Sequence, residues 1–178
     1  MGADQRRDLL QRARAGDGLA FDELLSPVLD PAFRLAMTML ADRSAAEDAV
    51  QEAALKAWRK LGTFRPESEL RPWFLAIVAN ECRTARRGRW WRVIRSDDAA
   101  RLAPGVYSDR GWADHMDLDA ALSRLAPNHL LALSLYYHLD LPIEEVARVL
   151  GCSVGGARQR IHRALVALRP EMAIEANP

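Results

Sequence analysis

Apolar residues recur at spacings of three and four along most of the chain, which is the spacing of the buried face of an amphipathic helix. No stretch keeps up the strict alternation that a half-buried strand requires. The pattern therefore predicts an all-α protein. In the first half it predicts helices over about 4–15, from Ala20 with an interruption at Pro27 or Pro31, over 44–61 with Ser44 and Glu47 as a capping box, and over about 70–87.

The helical periodicity is lost between Ser96 and Asp114, where proline, glycine, serine and aspartate interrupt the apolar positions. A stretch of this length without a pattern is unusual inside one compact domain, so we expect a flexible linker over 96–114. The linker divides the chain into two small helical domains, 1–95 and 115–170, and a tail follows over 171–178. In the second domain the pattern predicts helices over about 118–125, 128–139, 143–150 and 154–168.

The turn Gly151-Cys152-Ser153 joins two short predicted helices, and the second of them is rich in arginine, which is the outline of a helix-turn-helix. Residues placed at 100° intervals put Ala157, Ile161, Ala164, Leu165 and Leu168 on the packed side. The outward side then carries side chains suited to base edges in a major groove: Arg158, Gln159, His162 and Arg163. Ser153 can cap this helix and donate to a phosphate. The alternative is a solvated charged face of an ordinary bundle helix.

The third predicted helix has an outward stripe of polar residues with one leucine, made of Asp48, Gln51, Glu52 and Leu55. A small apolar anchor inside complementary charge gives affinity and register, so this stripe can dock against a basic partner helix. A merely solvated face is the alternative.

The fourth predicted helix combines aromatic and cationic residues. Phe64, Trp73 and Phe74 lie at or before its beginning and Asn80 in its middle, and six arginines without an acidic residue follow between 83 and 95. Aromatic faces that hold bases and arginines that hold phosphates are the two ingredients of single-strand binding. However, Trp73 and Phe74 also have the spacing of core residues.

Charge and composition change this picture little. The 178 residues include 25 basic and 24 acidic side chains, so the formal charge of +1 excludes a uniformly basic nucleic-acid coat, but the arginines are segregated into two runs. Cys82 and Cys152 lie too far apart to suggest a metal site and are interpreted as small buried residues. No signal peptide or membrane span is present in the sequence, which favours a cytoplasmic protein without membrane insertion.

The motifs together resemble those of the bacterial extracytoplasmic-function sigma factors of the sigma-70 family, small RNA polymerase initiation subunits built from regions 2 and 4. The matching stretches follow the family's order: Arg14-Ala-Gly-Asp with Ala20-Phe21, Glu47–Ala53, Phe64–Asn80, Leu125-Ala-Pro, Glu145–Gly155 and Arg160–Ala164. The resemblance implies a four-helix region 2 domain over 1–95 and a helix-turn-helix region 4 domain over 115–170.

Site residues follow from the resemblance at the matching positions. Asp48, Gln51, Glu52 and Leu55 would bind the β′ coiled coil of core polymerase. The turn over 62–70, with Phe64 and Asn80, would capture a base flipped from the non-template strand of the −10 element, and Arg83, Arg86 and Arg87 would contact phosphates nearby. Ser153, Arg158, Gln159, His162 and Arg163 would bind the −35 element.

The implied partners are core RNA polymerase, through its β′ coiled coil and β flap, and promoter DNA. An anti-sigma protein that clamps the two domains together is a further hypothesis. No cofactor, metal site or enzymatic activity is expected, because the four histidines lack ligand spacing and no catalytic constellation is present. The alternatives are a stand-alone helix-turn-helix regulator, which predicts a dimer and a palindromic site, and a decoy that binds polymerase without promoter activity.

Overall fold

A computed structural model of the chain describes residues 2–95, 121–122 and 124–172, with 89–95 and 169–172 defined by their backbone alone. The first unit contains α1 (Ala3–Arg14), α2 (Gly18–Leu40), α3 (Arg43–Lys60), a 3-10 turn (Leu61–Thr63) and α4 (Leu70–Arg95). The second contains α5 (Pro127–Leu133), a π-helical segment (Ser134–His138), α6 (Ile143–Leu150) and α7 (Val154–Met172). The described residues include no strand, which confirms the all-α prediction. The predicted linker over 96–114 lies outside them.

The first unit is built around α2, which packs against α1, α3 and α4. The buried face of α3 consists of alanines at positions 46, 49, 53 and 57. Because alanine has a small side chain, the backbone of α3 can approach both α2 and α4 closely. Larger side chains such as Leu35, Phe74 and Val78 fill the space between the other helices and are fully buried. The buried stripe of α4 fixes which of its side chains face outward.

Two details of the first unit differ from the sequence prediction. Helix α2 runs unbroken from Gly18 to Leu40 with both Pro27 and Pro31 inside it. These prolines lie four residues apart on the side away from the buried stripe, so the backbone bonds that they remove lie on one face while the apolar face stays packed. Helix α3 is capped by Asp42 instead of Ser44: the Asp42 carboxylate accepts a hydrogen bond from the Ala45 amide at 2.9 Å.

The second unit is a helix-turn-helix, α6 and α7, that follows α5 and the π-helical segment. Gly151 ends α6 in the left-handed conformation, with φ of 62°, and Ser153 Oγ accepts the Gly156 amide at 3.1 Å as the first cap of α7. The predicted helix over 128–139 is α5 followed by a π-helical turn, in which the Leu139 amide donates to the Ser134 carbonyl at 2.9 Å. This wider turn leaves Leu135, Leu139 and Leu141 all buried. The sequence correctly predicts the position of the turn and both helices.

The two units are in contact, with α6 lying against α4 and α5 near α2. The Arg71 guanidinium donates to the Leu139 carbonyl at 2.9 Å, and Arg83 donates to Asn128 Oδ1 at 3.2 Å. Part of α4 therefore faces the helix-turn-helix unit. None of the described helices combines the length and hydrophobicity needed to cross a bilayer.

Candidate nucleic-acid interface

The outward face of α3 carries the side chains predicted for partner docking. All four are wholly or partly exposed: Asp48, Gln51, Glu52 and Leu55. Glu52 lies 3.6 Å from Lys56 one turn away, and Lys56 Nζ lies 2.5 Å from Glu81 Oε2 on α4. The hydrogen bond that Lys56 donates to the Glu81 carboxylate is the main reason why the pKa of Lys56 is raised. Asp48 and Glu52 make the α3 face acidic, and the ion pair between Lys56 and Glu81 connects α3 to α4.

An open groove of about 510 Å³ lies between this face and α2, with Phe21, Gln51, Leu55 and Trp58 among its lining residues. The Phe21 and Trp58 rings meet edge to face with centroids 5.0 Å apart, and Leu55 is 52% exposed. Leu19, at the start of α2, is 80% exposed. An apolar groove next to acidic side chains suits a helix that presents apolar residues among basic ones.

Phe64, predicted as a contact for a flipped base, is only 3% exposed. Its ring packs on Trp73 with centroids 4.7 Å apart. Trp73 is partly buried and Phe74 is fully buried, which fits the alternative interpretation of these aromatics as core residues. The Phe64 ring therefore faces the core in this structure and anchors the loop between α3 and α4, and its contact with a base stays a prediction.

Asn80 lies exposed on α4, and its side-chain oxygen accepts a hydrogen bond from Arg83 at 2.8 Å. Arg83 uses its other terminal nitrogen to reach Asn128 in the second unit. Burial lowers the pKa of Arg83, and the nearby positive charge of Arg160 lowers it further. This arginine is therefore held by protein acceptors on both sides in the structure.

The remaining predicted arginines of α4 follow within the next turn. Arg86 is partly buried and donates to the Met39 carbonyl at 3.4 Å, whereas Arg87 is exposed and donates only weakly to Thr84 at 3.4 Å. With Asn80 and Arg83 they occupy about two turns of one helix. The structure thus brings the predicted −10 residues of α4 together and leaves Phe64 apart from them.

The recognition helix α7 presents four predicted side chains that are all exposed: Arg158, Gln159, His162 and Arg163. None of the four is hydrogen-bonded or ion-paired to another residue in the described part of the chain. Ala157, Ile161, Ala164 and Leu168 are buried as predicted, but Leu165 is 38% exposed. Leu165 lies at the edge of the packed stripe and lines a groove with Tyr136 and Tyr137.

A groove of about 370 Å³ borders this recognition surface. Tyr136 and Tyr137 line it together with Arg158 and His162, and the two tyrosine rings meet edge to face with centroids 4.9 Å apart. The tyrosines are 38% and 60% exposed. Sequence reasoning did not single them out, although adjacent tyrosines that cannot both face the core are a usable signal of exposure.

Two arginines of α1 were also missed. Arg14 donates to the carbonyls of Leu61 and Phe64, and Arg6 to those of Pro66 and Ser68. All four acceptors belong to the loop before α4. Every residue has a backbone carbonyl, so hydrogen bonds to carbonyls do not require particular residue types in the loop. No sequence motif could therefore predict these contacts.

Comparison with known proteins agrees with this arrangement. The family descriptions Sigma-70 region 2 and Sigma-70, region 4 match residues 24–92 and 115–168. The RNA polymerase sigma-H factor of Pseudomonas aeruginosa is 30% identical over 178 residues, which cover 93% of this chain and 92% of the relative. The ECF RNA polymerase sigma factor EcfG of Rhodopseudomonas palustris is 32% identical over 147 residues, covering 80% and 79%.

A solved structure is similar over nearly its whole length. The sigma factor RpoE from Bartonella quintana, in complex with the anti-sigma factor NepR, superposes with a TM-score of 0.71 at 28% identity, over 87% of this chain and 98% of that one. Two helical units in this order, with a helix-turn-helix in the second, define an RNA polymerase sigma factor. The chain belongs to the sigma-70 family, within its extracytoplasmic-function group, and directs promoter-specific transcription initiation.

Proposed function

We propose that three exposed surfaces have separate roles in initiation. The α3 face binds core polymerase, α4 with the preceding loop binds the melted −10 strand, and α7 reads the −35 duplex. The observation that carries the proposal is the set of four unpaired polar side chains on α7 directly after the helix-turn-helix turn. Side chains without protein partners can form bonds to base edges without first breaking others.

For core polymerase, the proposed contact is Asp48, Gln51, Glu52 and Leu55 against the β′ coiled coil. The adjacent groove supports this assignment because Leu55 and Trp58 offer apolar anchors beside acidic side chains. The β flap is proposed to contact the second unit, so that polymerase holds both units at the spacing of a promoter.

For the −10 element, Asn80 and the loop over 62–69 are proposed to hold a base extruded from the non-template strand. Unstacking a base costs a few kcal/mol, and a prepared pocket offsets this cost. Arg83, Arg86 and Arg87 would neutralise phosphates beside it. Phe64 contributes by fixing the loop, since its ring is buried against Trp73.

For the −35 element, Arg158, Gln159, His162 and Arg163 are proposed to face the major groove, with Ser153 beside a phosphate at the start of α7. An anti-sigma protein is a proposed additional partner, since the similar RpoE structure is a complex with one. The protein acts in the cytoplasm, where polymerase and promoters are, and catalyses no reaction itself.

The decisive experiment is transcription in vitro from a promoter library by core polymerase with and without the chain. We expect initiation at a defined subset of templates only when the chain is present. Core binding without initiation at any template would refute the promoter-directing role and favour a decoy.

A matched pair of variants tests the polymerase surface. Leu55→Asp should weaken core binding by at least about tenfold, because it places a charge in the apolar anchor. Leu29→Asp is the control, since Leu29 is an exposed leucine of α2 outside the groove. Equal core affinities of the two variants would assign the polymerase contact to another surface.

A further inference from the structure

The loop between α3 and α4 depends on α1 for its shape. Within residues 61–69 the backbone bonds are few: the Phe64 amide donates to the Leu61 carbonyl at 3.3 Å and the Ser68 amide to the Arg65 carbonyl at 2.9 Å. Beyond the 3-10 turn Leu61–Thr63 the segment has no helical or sheet hydrogen bonds to hold it, so contacts with other parts of the chain fix its conformation.

Two guanidinium groups of α1 provide this support at two points. At one end of the loop Arg14 Nε donates to the Leu61 carbonyl at 3.1 Å, and Arg14 Nη2 donates to the Phe64 carbonyl. At the other end Arg6 Nη2 donates to the carbonyls of Pro66, at 2.9 Å, and Ser68, and Arg6 Nη1 lies 3.8 Å from Glu69.

The geometry of α1 explains why both arginines reach the loop. They are eight residues apart, which is about 12 Å along the axis and about 80° around it, so both long side chains can reach one loop that runs beside the helix. Leu9, Leu10 and Ala13 are buried against the rest of the first unit and prevent α1 from turning about its axis. The helix therefore holds two forked donors at a fixed separation along the loop.

These bonds engage the backbone carbonyls of the loop and leave the side chains of Arg65 and Glu67 exposed. A nucleotide arriving at the loop thus meets a backbone that is already held in place. Ordering a binding segment in advance lowers the conformational entropy lost on binding.

We propose that Arg6 and Arg14 are positioning residues for −10 strand capture: α1 holds the loop over 61–69 in the shape that receives the extruded base. The inference rests on the proposed function of this loop. It predicts that removing either guanidinium group weakens binding of the single strand, while the surfaces on α3 and α7 keep their affinities.

The test uses holoenzyme reconstituted with the full chain and its Arg14→Ala, Arg6→Ala and Arg7→Ala variants. Arg7 is the matched control, because it loses the same charge from the same helix but pairs only with Asp4, at 3.6 Å. The probe is a non-template single strand that carries the −10 sequence of a promoter initiated by the unaltered chain. Core affinity and affinity for the −35 duplex are measured alongside.

We expect Arg14→Ala and Arg6→Ala to weaken binding of the single strand by about tenfold, the effect of a lost charged hydrogen bond, with core and −35 affinities unchanged. Arg7→Ala should bind as the unaltered chain does. Arg14→Lys should restore part of the affinity, since lysine keeps the charge but cannot bond two carbonyls in a plane. The amides of Arg65 and of residues 67–69 should exchange hydrogen faster in Arg14→Ala.

Unchanged strand binding by both alanine variants overturns the proposal, and so does an equal loss in Arg7→Ala, which would show an effect of charge alone. If Arg14→Ala does not fold, Arg14→Lys decides: strand affinity equal to that of the unaltered chain is the contradicting result. Failure of the unaltered chain to bind the strand would instead refute the proposed function of the loop.

Discussion

The two units of the molecule present their candidate nucleic-acid side chains in opposite states. On α4, Arg83 is bonded to Asn80 and Asn128, Arg86 donates to the Met39 carbonyl, and Arg87 donates weakly to Thr84. On α7, the four candidate side chains are exposed and without bonds in the described part of the chain. To contact DNA as proposed, the α4 arginines exchange hydrogen bonds to the protein for bonds to phosphates. The α7 side chains have no such bonds to break.

This difference corresponds to the two kinds of DNA that the units are proposed to bind. A −35 duplex offers its groove edges without rearrangement, so free side chains can bind it at once. A −10 strand becomes available only after base pairs open, and exchange of arginine partners on α4 can accompany that opening. Because the α7 side chains are free and the α4 arginines are bonded to the protein, we expect the duplex to be recognised before the single strand is captured.

The largest expected effect concerns the two cysteines, one in each unit. Burial raises the pKa of Cys82 to about 12, so only about one in 10⁴ of its thiols is ionised at pH 8. Cys152, in the turn before α7, is partly exposed, although the sequence suggested a buried residue. Iodoacetamide should modify Cys152 more than about 100-fold faster than Cys82 in the folded chain.

Mass spectrometry of each cysteine-containing peptide measures the two rates, and the chain unfolded in urea is the control in which they should converge. Similar rates in the folded chain would mean that α4 leaves its packing freely, which would remove the contrast between the units. The same raised pKa implies that the Cys82 contribution to the free energy of unfolding is complete below about pH 9 and is lost between pH 9 and 12.

The second prediction tests whether α7 reads bases. Arg158→Ala should reduce discrimination at one −35 position by about 1–3 kcal/mol, as for a lost bidentate base contact. Competition binding against every single-base change in the −35 element measures it. Arg148→Ala, which removes an exposed arginine from α6, serves as the control. A uniform loss on all sequences would make Arg158 a phosphate contact.

The third prediction concerns Arg87 of α4, whose side chain is exposed and makes one weak hydrogen bond, to Thr84. Arg87→Ala should weaken binding of the −10 strand several-fold irrespective of its sequence and reduce the salt dependence of log K by about 0.7. Titrations at several salt concentrations measure this slope. Arg59→Ala, at the end of α3, should leave it unchanged, and a sequence-dependent loss in Arg87→Ala would contradict a phosphate contact.

The smallest expected effect tests the restraint on Arg83. Asn128→Ala removes the acceptor in the second unit and should raise affinity for the −10 strand by about two- to fivefold, which is less than the effect of a buried charged hydrogen bond because this bond is exposed and 3.2 Å long. Glu144→Gln, an exposed change on α6, is the control. Weaker strand binding by Asn128→Ala would show that Asn128 itself supports the site.

Periodicity predicted most helices of the described residues and the helix-turn-helix correctly, because burial of an apolar stripe outweighs local preferences, whereas the predicted helix over 118–125 falls largely outside those residues. The stabilisation from burying the apolar stripe also explains where local sequence signals were misleading. Pro27 and Pro31 indicated a break, yet packing of the stripe keeps α2 continuous. Ser44 and Glu47 formed a plausible capping box, but Asp42 is an equally good cap two residues earlier and lengthens the helix.

The site was predicted less completely than the fold. Exposed residues of single helices, such as Arg158 and Leu55, follow from a helical wheel and were placed correctly. The burial of Phe64 was not predicted, because an aromatic residue in a loop suits stacking and core packing equally well. Contacts between distant segments, such as those of Arg14 with the loop, depend on tertiary structure and have no local pattern.

The contact between Arg83 and Asn128 involves the same guanidinium group in two equilibria: contact between the two units and the proposed binding of the −10 strand. In the proposed phosphate contact, Arg83 turns toward the strand and gives up its bond to the second unit, so the two contacts compete. By thermodynamic linkage, the factor by which contact between the units weakens strand binding equals the factor by which bound strand loosens that contact. Any partner that presses the units together therefore lowers promoter affinity without touching a single base-reading side chain.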